Sequence, residues 1–317
     1  MSDDSFVTHR GLLFTVAYEM LGSAADAEDV VQETWLRWSG LRDGARAEVR
    51  DPRTYLVRIV TRQALNRLRT VARRREDYIG PWLPEPLLTS PDVADDVELA
   101  ENVSMAMLTV LETLLPAERA VFVLREVFDV PYEEIADAVG KSEPAVRQIA
   151  HRARRHVAAR RPRTQVSRAE QRAVVDRFLA ALSTGDVQGL MDVLAPDVVL
   201  VSDGGGLAGA ARKPITGAER LVRFLTSRGA RDVVGAPAWL NGAPGFLLLG
   251  DDDVVVAAVG LAVEHGQIQR MYAVANPGKL EGVATEAALT RAPRARGSGQ
   301  RAAVKGLPGG EMSANVD

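Results

Sequence analysis

Residues 130–156 read VPYEEIADAVGKSEPAVRQIAHRARRH, and they set Arg147, Gln148, His151, Arg152 and Arg155 where one helix would present them together. Those side chains suit one kind of chemistry. The forked donors of arginine and glutamine match the edges of guanine and adenine, and the remaining arginines can hold phosphates. His151 stands alone on this polar face, which points to a DNA contact rather than to a metal ligand or a catalyst. To position them, Val146, Ile149, Ala150, Ala153 and Val157 must pack on the opposite face. A first helix after Pro131, with Ile135, Ala136 and Val139 on one side, ends at Gly140, whose backbone freedom suits a tight turn between helices. Ser142 is the expected N-cap and joins the DNA-facing set; Glu143 and Pro144 suit a first turn. The pattern is that of a helix-turn-helix, with a merely solvated basic helix as the plainer alternative.

A second basic face lies upstream. Asp51 and Pro52 open a predicted helix reaching residue 75, with Val57, Val60, Ala64, Leu65, Leu68 and Val71 as its apolar stripe and Arg58, Arg62, Asn66, Arg69 and Arg73 on another face. Residues 50–76 hold nine basic against two acidic residues, and residues 141–163 eight against one, whereas residues 77–101 hold seven acids and no base. Two basic patches joined by an acidic segment imply two nucleic-acid contacts on one chain. Ser23 and Asp26 start a capped amphipathic helix that offers Val30, Val31, Trp35 and Trp38 for packing or docking. The string IGPWLPEPLLTSPD is broken by Pro81, Pro84, Pro86 and Pro91 and reads as an extended linker. Helical runs over 102–115 and 117–128 lead into the helix-turn-helix.

The 317 residues are 46% hydrophobic, which fits two or three compact domains. No apolar run is long enough for a membrane span and no signal pattern opens the chain, so the cytoplasm is the expected location. The absence of cysteine excludes disulfides, a thiol nucleophile and cysteine–zinc sites; the four histidines lack ligand spacing, so neither metal nor cofactor is expected. Beyond residue 163 the pattern changes to helices over 169–183 and 216–227, a short helix and turn over 185–197, and strands over 197–203, 246–250, 254–263 and 267–275. Helices first and antiparallel strands later predict a curved α+β domain. Residues 282–317, rich in Gly, Ala, Pro and Arg, predict a mobile tail. The expected domains are 1–76, 77–101 as linker, 102–163, 164–281 and that tail.

LLFTVAYEMLGSAADAEDVVQETWLRW resembles sigma region 2, and the helix-turn-helix resembles region 4. With WLPEP at 82–86, DGGG at 203–206 and NPGKL at 276–280, five motifs in order resemble bacterial extracytoplasmic-function sigma factors of the subgroup with a SnoaL-like C-terminal domain. Leu207 stands where that subgroup usually has lysine, and Gly278 where it has aspartate. The resemblance implies two all-α sigma domains followed by an α+β SnoaL-like (NTF2-like) curved-sheet domain, and a non-enzymatic chain that directs core RNA polymerase to promoter DNA. It also implies regulation in cis by the added domain. Asp29, Gln32, Glu33 and Trp38 would dock on polymerase. The loop over 40–51 with Arg58, Arg62, Asn66 and Arg69 would handle the minus-ten element, capturing a base that leaves the stack. Ser142, Arg147, Gln148, His151, Arg152 and Arg155 would read the minus-thirty-five element, and Trp82, Pro84, Asp203, Gly204, Asn276 and Pro277 would carry regulatory contacts. An unidentified small ligand of the C-terminal pocket is a further candidate partner. Two alternatives stand beside this. One is a ligand-sensing DNA-binding regulator; the other is an isomerase or cyclase with Asp203 as base and Tyr272 as donor, although Asp203 before three glycines also suits a simple turn.

Overall fold

The computed structural model describes residues 3–76, 78–94, 96–160, 166–206, 210–227 and 233–291. Helix α1 (Asp3–Leu21) is enclosed through its middle, with Leu12, Leu13, Val16, Ala17 and Met20 fully buried. Gly22, at φ 68°, turns the chain into α2 (Ala24–Ser39), which Ser23 caps by accepting the Asp26 N–H at 3.1 Å. After the short α3 (Asp43–Ala47), α4 (Pro52–Glu76) starts where Asp51 accepts the Thr54 N–H at 3.2 Å. Its stripe of Leu56, Val60 and Ala64 closes on α1 and α2.

The single helix expected over 102–115 is divided. Ser104 leaves helical geometry (φ −58°, ψ 147°), ends α5 (Val97–Val103) and caps α6 (Met105–Leu111) through the Met107 N–H at 3.2 Å. Helix α7 (Pro116–Phe122) continues into a π-helical turn, Val123–Val127. The helix-turn-helix follows as α8 (Tyr132–Val139) and α9 (Glu143–Ala158), joined at Gly140 in the left-handed region. Ser142 has N-cap backbone geometry, but its side chain makes no capping bond. These helices do not hang apart from the first group on a tether, because Leu56, Leu108, Val121, Leu124, Ile135 and Val146 belong to one continuous core.

The C-terminal unit begins with α10 (Arg168–Thr184) and α11 (Val187–Val193) and continues with β1 (Leu194–Asp203), β2 (Ile215–Thr216), α12 (Ala218–Ser227), β3 (Val234–Leu240), β4 (Ala243–Leu249), β5 (Val255–Glu264) and β6 (Gln267–Val274). The strands order as β2-β1-β6-β5-β4-β3. The sheet is mixed rather than wholly antiparallel, because β1 lies parallel to β6, with Val201 opposite Tyr272 and Asp203 opposite Val274. One face, with Leu200, Phe246, Val259 and Met271, packs on helices around Val174 and Phe178. The other, with Leu240, Ala258, Tyr272 and Val274, packs on Leu83 of the linker and Met105 of α6.

The tail expected from Gly282 begins later. Val283 packs beneath the sheet, Leu289 enters the helical core, and the Ala287 and Thr290 N–H groups donate to Leu88 O at 2.8 Å and Thr15 Oγ1 at 3.0 Å. Residues 292–317 lie outside the described residues. No helix among the described residues is long and apolar enough to cross a membrane.

Candidate nucleic-acid interface and interdomain latch

Helix α9 separates its faces as its spacing predicts. Val146, Ile149, Ala150, Ala153 and Val157 are buried, while Arg147, Gln148, His151, Arg152 and Arg155 are exposed, with Ser142 beside them. Arg147 bonds Glu143 one turn earlier and lies 4.5 Å over the Tyr132 ring, which holds it ready at the N-terminal end of the helix. Arg152 lies 3.7 Å from Glu118. Arg154 turns aside to a bidentate pair with Glu126 at 2.9 and 3.0 Å.

The α4 set is not one free surface. Asn66 and Arg69 are exposed and bonded to each other at 3.3 Å. Arg62, also exposed, donates to the Asp137 and Ala138 carbonyls of α8 at 2.6 and 3.4 Å, and Arg58 is half-buried, with its guanidinium 5.3 Å over the Tyr55 ring. On α2, Asp29, Gln32 and Glu33 are exposed. Arg67 ties Asp29 (2.7 Å) and Asp26 (2.6 Å) to α4, and the Asp26 bond chiefly raises its own pKa. Gln63 donates to Glu33 at 2.5 Å. Trp38 does not share their exposure: at 3% exposed it packs against Tyr55, with Arg46 5.8 Å over its ring. A residue so enclosed offers no docking surface in this conformation. The large exposed apolar side chains of α2 are Trp35 and Leu36, at 39% and 61%.

The three short strings meet around one carboxylate. Asp203, fully buried at the end of β1, accepts the Lys279 ammonium at 2.7 Å and the Leu83 N–H at 2.8 Å on one oxygen, and the Tyr78 hydroxyl and Gly205 N–H on the other. Lys279, 5% exposed, also donates to Leu83 O at 2.6 Å and sits 3.1 Å over the Trp82 ring, which Tyr78 meets edge-on at 4.7 Å. Asn276 donates to the Tyr78 hydroxyl at 2.8 Å, and its own N–H joins that of Ala275 on Asp203 O. Burial, with Asp203 adding, raises the Tyr78 pKa and keeps its hydroxyl a donor.

The same linker holds the helices. Glu85 accepts the Ala24 and Ala25 N–H groups at 2.6 and 3.3 Å at the start of α2; Tyr18 donates to Glu85 O at 2.6 Å. Asn241, in the β3–β4 turn, accepts the Leu87 N–H and donates to Tyr18 and to Val103 O. The expected regulatory residues therefore divide. Trp82, Asp203 and Asn276 converge and Gly204 is buried beside them, whereas Pro84 faces Gly22 between α1 and α2 and Pro277 is exposed. Tyr78, Leu83, Glu85, Asn241 and Lys279 were not singled out. Lys279 carried a signal, since a lysine inside an otherwise uncharged turn string is a partner for a buried acid.

Where the first two helical groups join, Arg119 of α7 is 2% exposed, donates to Glu19 O at 2.8 Å and pairs with Glu112 at 2.7 Å. Neither carboxyl oxygen of the buried Glu19 has a hydrogen-bond partner among the described residues, and burial pushes its pKa up to about 8 against the pull of Arg119 and Arg291.

Residues 6–75 match the family model Sigma-70 region 2, and residues 104–157 match Sigma-70, region 4. The ECF RNA polymerase sigma factor SigJ of Mycobacterium tuberculosis (strain ATCC 25618 / H37Rv) is 38% identical over 299 residues, spanning 89% of this chain and 94% of the relative. This chain is an extracytoplasmic-function sigma factor. The probable ECF sigma factor SigI of M. tuberculosis (strain CDC 1551 / Oshkosh) is 34% identical over 284 residues, 88% of this chain and 94% of the relative. The crystal structure of M. tuberculosis SigJ superposes with a TM-score of 0.70 at 33% identity, covering 89% of this chain and 99% of the other, so the curved-sheet domain belongs to the shared architecture. The sigma factor thus serves core RNA polymerase at promoters and is not an enzyme. In keeping with this, the carboxylate considered as a base is spent on the latch. With Gly278 in place its N–H donates to Asn276 Oδ1 at 3.1 Å, and Asn276 still reaches the Tyr78 hydroxyl; Leu207 lies outside the described residues.

Proposed function

We propose that this sigma factor initiates transcription under the control of its own C-terminal domain, exerted through the linker between its two DNA-binding halves. In this proposal Ser142, Arg147, Gln148, His151, Arg152 and Arg155 contact the minus-thirty-five element, Arg58, Arg62, Asn66 and Arg69 the minus-ten element, and Asp29, Gln32 and Glu33 the polymerase. Exposure on α9 and α2, and the basic character of α4, support those assignments.

The observation that carries the regulatory part is Asp203. One carboxylate from the sheet binds the linker backbone at Leu83, the linker side chain of Tyr78 and the returning Lys279, so the path of the linker depends on the C-terminal domain. Such a latch can set how far the two DNA-binding halves separate on polymerase. Leu83 and Phe178 pack against the two faces of the sheet. The test is run-off transcription by full-length chain and by Tyr78→Phe at matched core occupancy. The variant loses the hydroxyl that joins Asp203 to Asn276 and should change the initiation rate; equal rates refute control through the latch.

A further inference from the structure

Just ahead of the helix-turn-helix the chain widens into the π-helical turn Val123–Val127, closed by the Phe128 N–H on Val123 O at 3.3 Å. Turns of this kind are frequent at functional sites. Its buried side chains, Leu124 and Val127, anchor it in the helical core, while Arg125 and Glu126 line a crevice of about 430 Å³ with Tyr132 and Arg154. Arg125 donates to Val130 O at 3.2 Å, pairs with Asp129 at 2.8 Å and lies 5.0 Å over the Tyr132 ring. Glu126 grips Arg154 of α9 and raises its pKa, with Tyr132 adding. The Tyr132 ring, half-buried at the start of α8, also carries Arg147 at 4.5 Å. Glu143 takes Nε and Nη2 of that guanidinium, which leaves Nη1 for a base edge.

Ion pairs around a crevice wide enough for water are screened and contribute little stability. What they fix is direction. An arginine free in solvent loses rotamer freedom on reaching a base, whereas one already resting on a ring has lost part of it beforehand. The ring attracts the guanidinium charge and consumes none of its forked donors, so the two contacts can coexist. We propose that Tyr132, braced by Arg125 of the π-turn, is a positioning residue for promoter specificity, acting through Arg147, which it aims at one base of the minus-thirty-five element. This rests on the assignment of α9 to that element.

The test is selection by the full-length chain, bound to core polymerase, from a promoter library randomised across the minus-thirty-five element, at matched core occupancy. Arg147→Ala locates the base that Arg147 reads, by erasing preference there. Tyr132→Leu should relax preference at that base by about two- to fivefold, the worth of one exposed cation–π contact, and leave the other positions as in wild type. Tyr132→Phe, which keeps the ring, should retain wild-type preference, and Tyr132→Leu added to Arg147→Ala should change nothing further. Circular dichroism checks folding, and Tyr132→Gln replaces Tyr132→Leu should the latter not fold. Relaxation spread evenly over all positions, or equal relaxation by Tyr132→Phe, overturns positioning by the ring. Wild-type preference in Tyr132→Leu beside relaxed preference in Arg147→Ala overturns the role of Tyr132 alone, whereas an unchanged profile in Arg147→Ala overturns the reading assignment on which it rests.

Discussion

Replacing Lys279 with methionine should destabilise the protein by about 3 kcal/mol, the lower end of what removing one partner of a buried ion pair costs. Lys279 and Asp203 lie 2.7 Å apart at 5% and 0% exposure. At an effective dielectric of about 20 their attraction is about 6 kcal/mol, most of which offsets the desolvation of the two charges. Methionine keeps much of the stem volume against Trp82, so little of the loss comes from a cavity. Asp203 keeps the Tyr78 hydroxyl and the Leu83 and Gly205 N–H groups, which is why the low end is expected. Urea unfolding followed by circular dichroism measures the change. Adding Asp203→Asn removes the stranded charge, so the double variant should be more stable than the sum of the single losses by about 1 kcal/mol or more. A Lys279→Met loss under about 1 kcal/mol, or strict additivity in the double variant, refutes the latch as a coupled buried pair.

Other outcomes follow from the same geometry. Glu19 has a raised pKa, so wild-type stability is fully present below the ordinary carboxyl value and falls as pH rises towards about 8. Glu19→Gln, which cannot ionise, should therefore gain on wild type by about 2–3 kcal/mol between pH 6 and 8 in urea midpoints; a pH-independent difference contradicts the assignment. Gln148→Ala should cost about 1–3 kcal/mol at one base of the minus-thirty-five element and relax preference there, read by promoter selection; an unchanged profile removes Gln148 from the reading set. Leu289→Ala should cost about 2 kcal/mol or more of stability because that side chain is 7% exposed in the helical core, whereas a freely moving tail would show no loss in the same urea titration.

The helix-turn-helix was legible because its signals agree: Pro131, Gly140 and the Val146–Ile149–Ala153–Val157 stripe all specify the same two helices. The latch was legible only as three turn-rich strings, because nothing local to WLPEP, DGGG or NPGKL records that they meet across up to 198 residues of chain. Strand β3 escaped because VGAPAWL, with Gly, Ala and Pro, carries little strand propensity. The turn that follows it was available: Asn241 and Gly242, at φ 53° and 72°, are a hairpin pair. The docking role of Trp38 comes from the resemblance alone; the amphipathic pattern leaves packing and docking open, because it does not say which large residue its neighbours enclose, and Tyr55 and Arg46 decide that. Likewise the tail's composition hid a single leucine, Leu289, that docks onto the helical core.

As a sigma factor this chain should start transcription at specific promoters as a subunit of RNA polymerase, with its C-terminal domain attached. Run-off transcription on a randomised promoter library, using purified core polymerase with and without the full-length chain, tests it most directly. Transcripts should appear only when chain and core are both present and should share one pair of elements upstream of the start. Absence of chain-dependent transcripts, together with tight binding of the chain alone to a duplex operator, would contradict it.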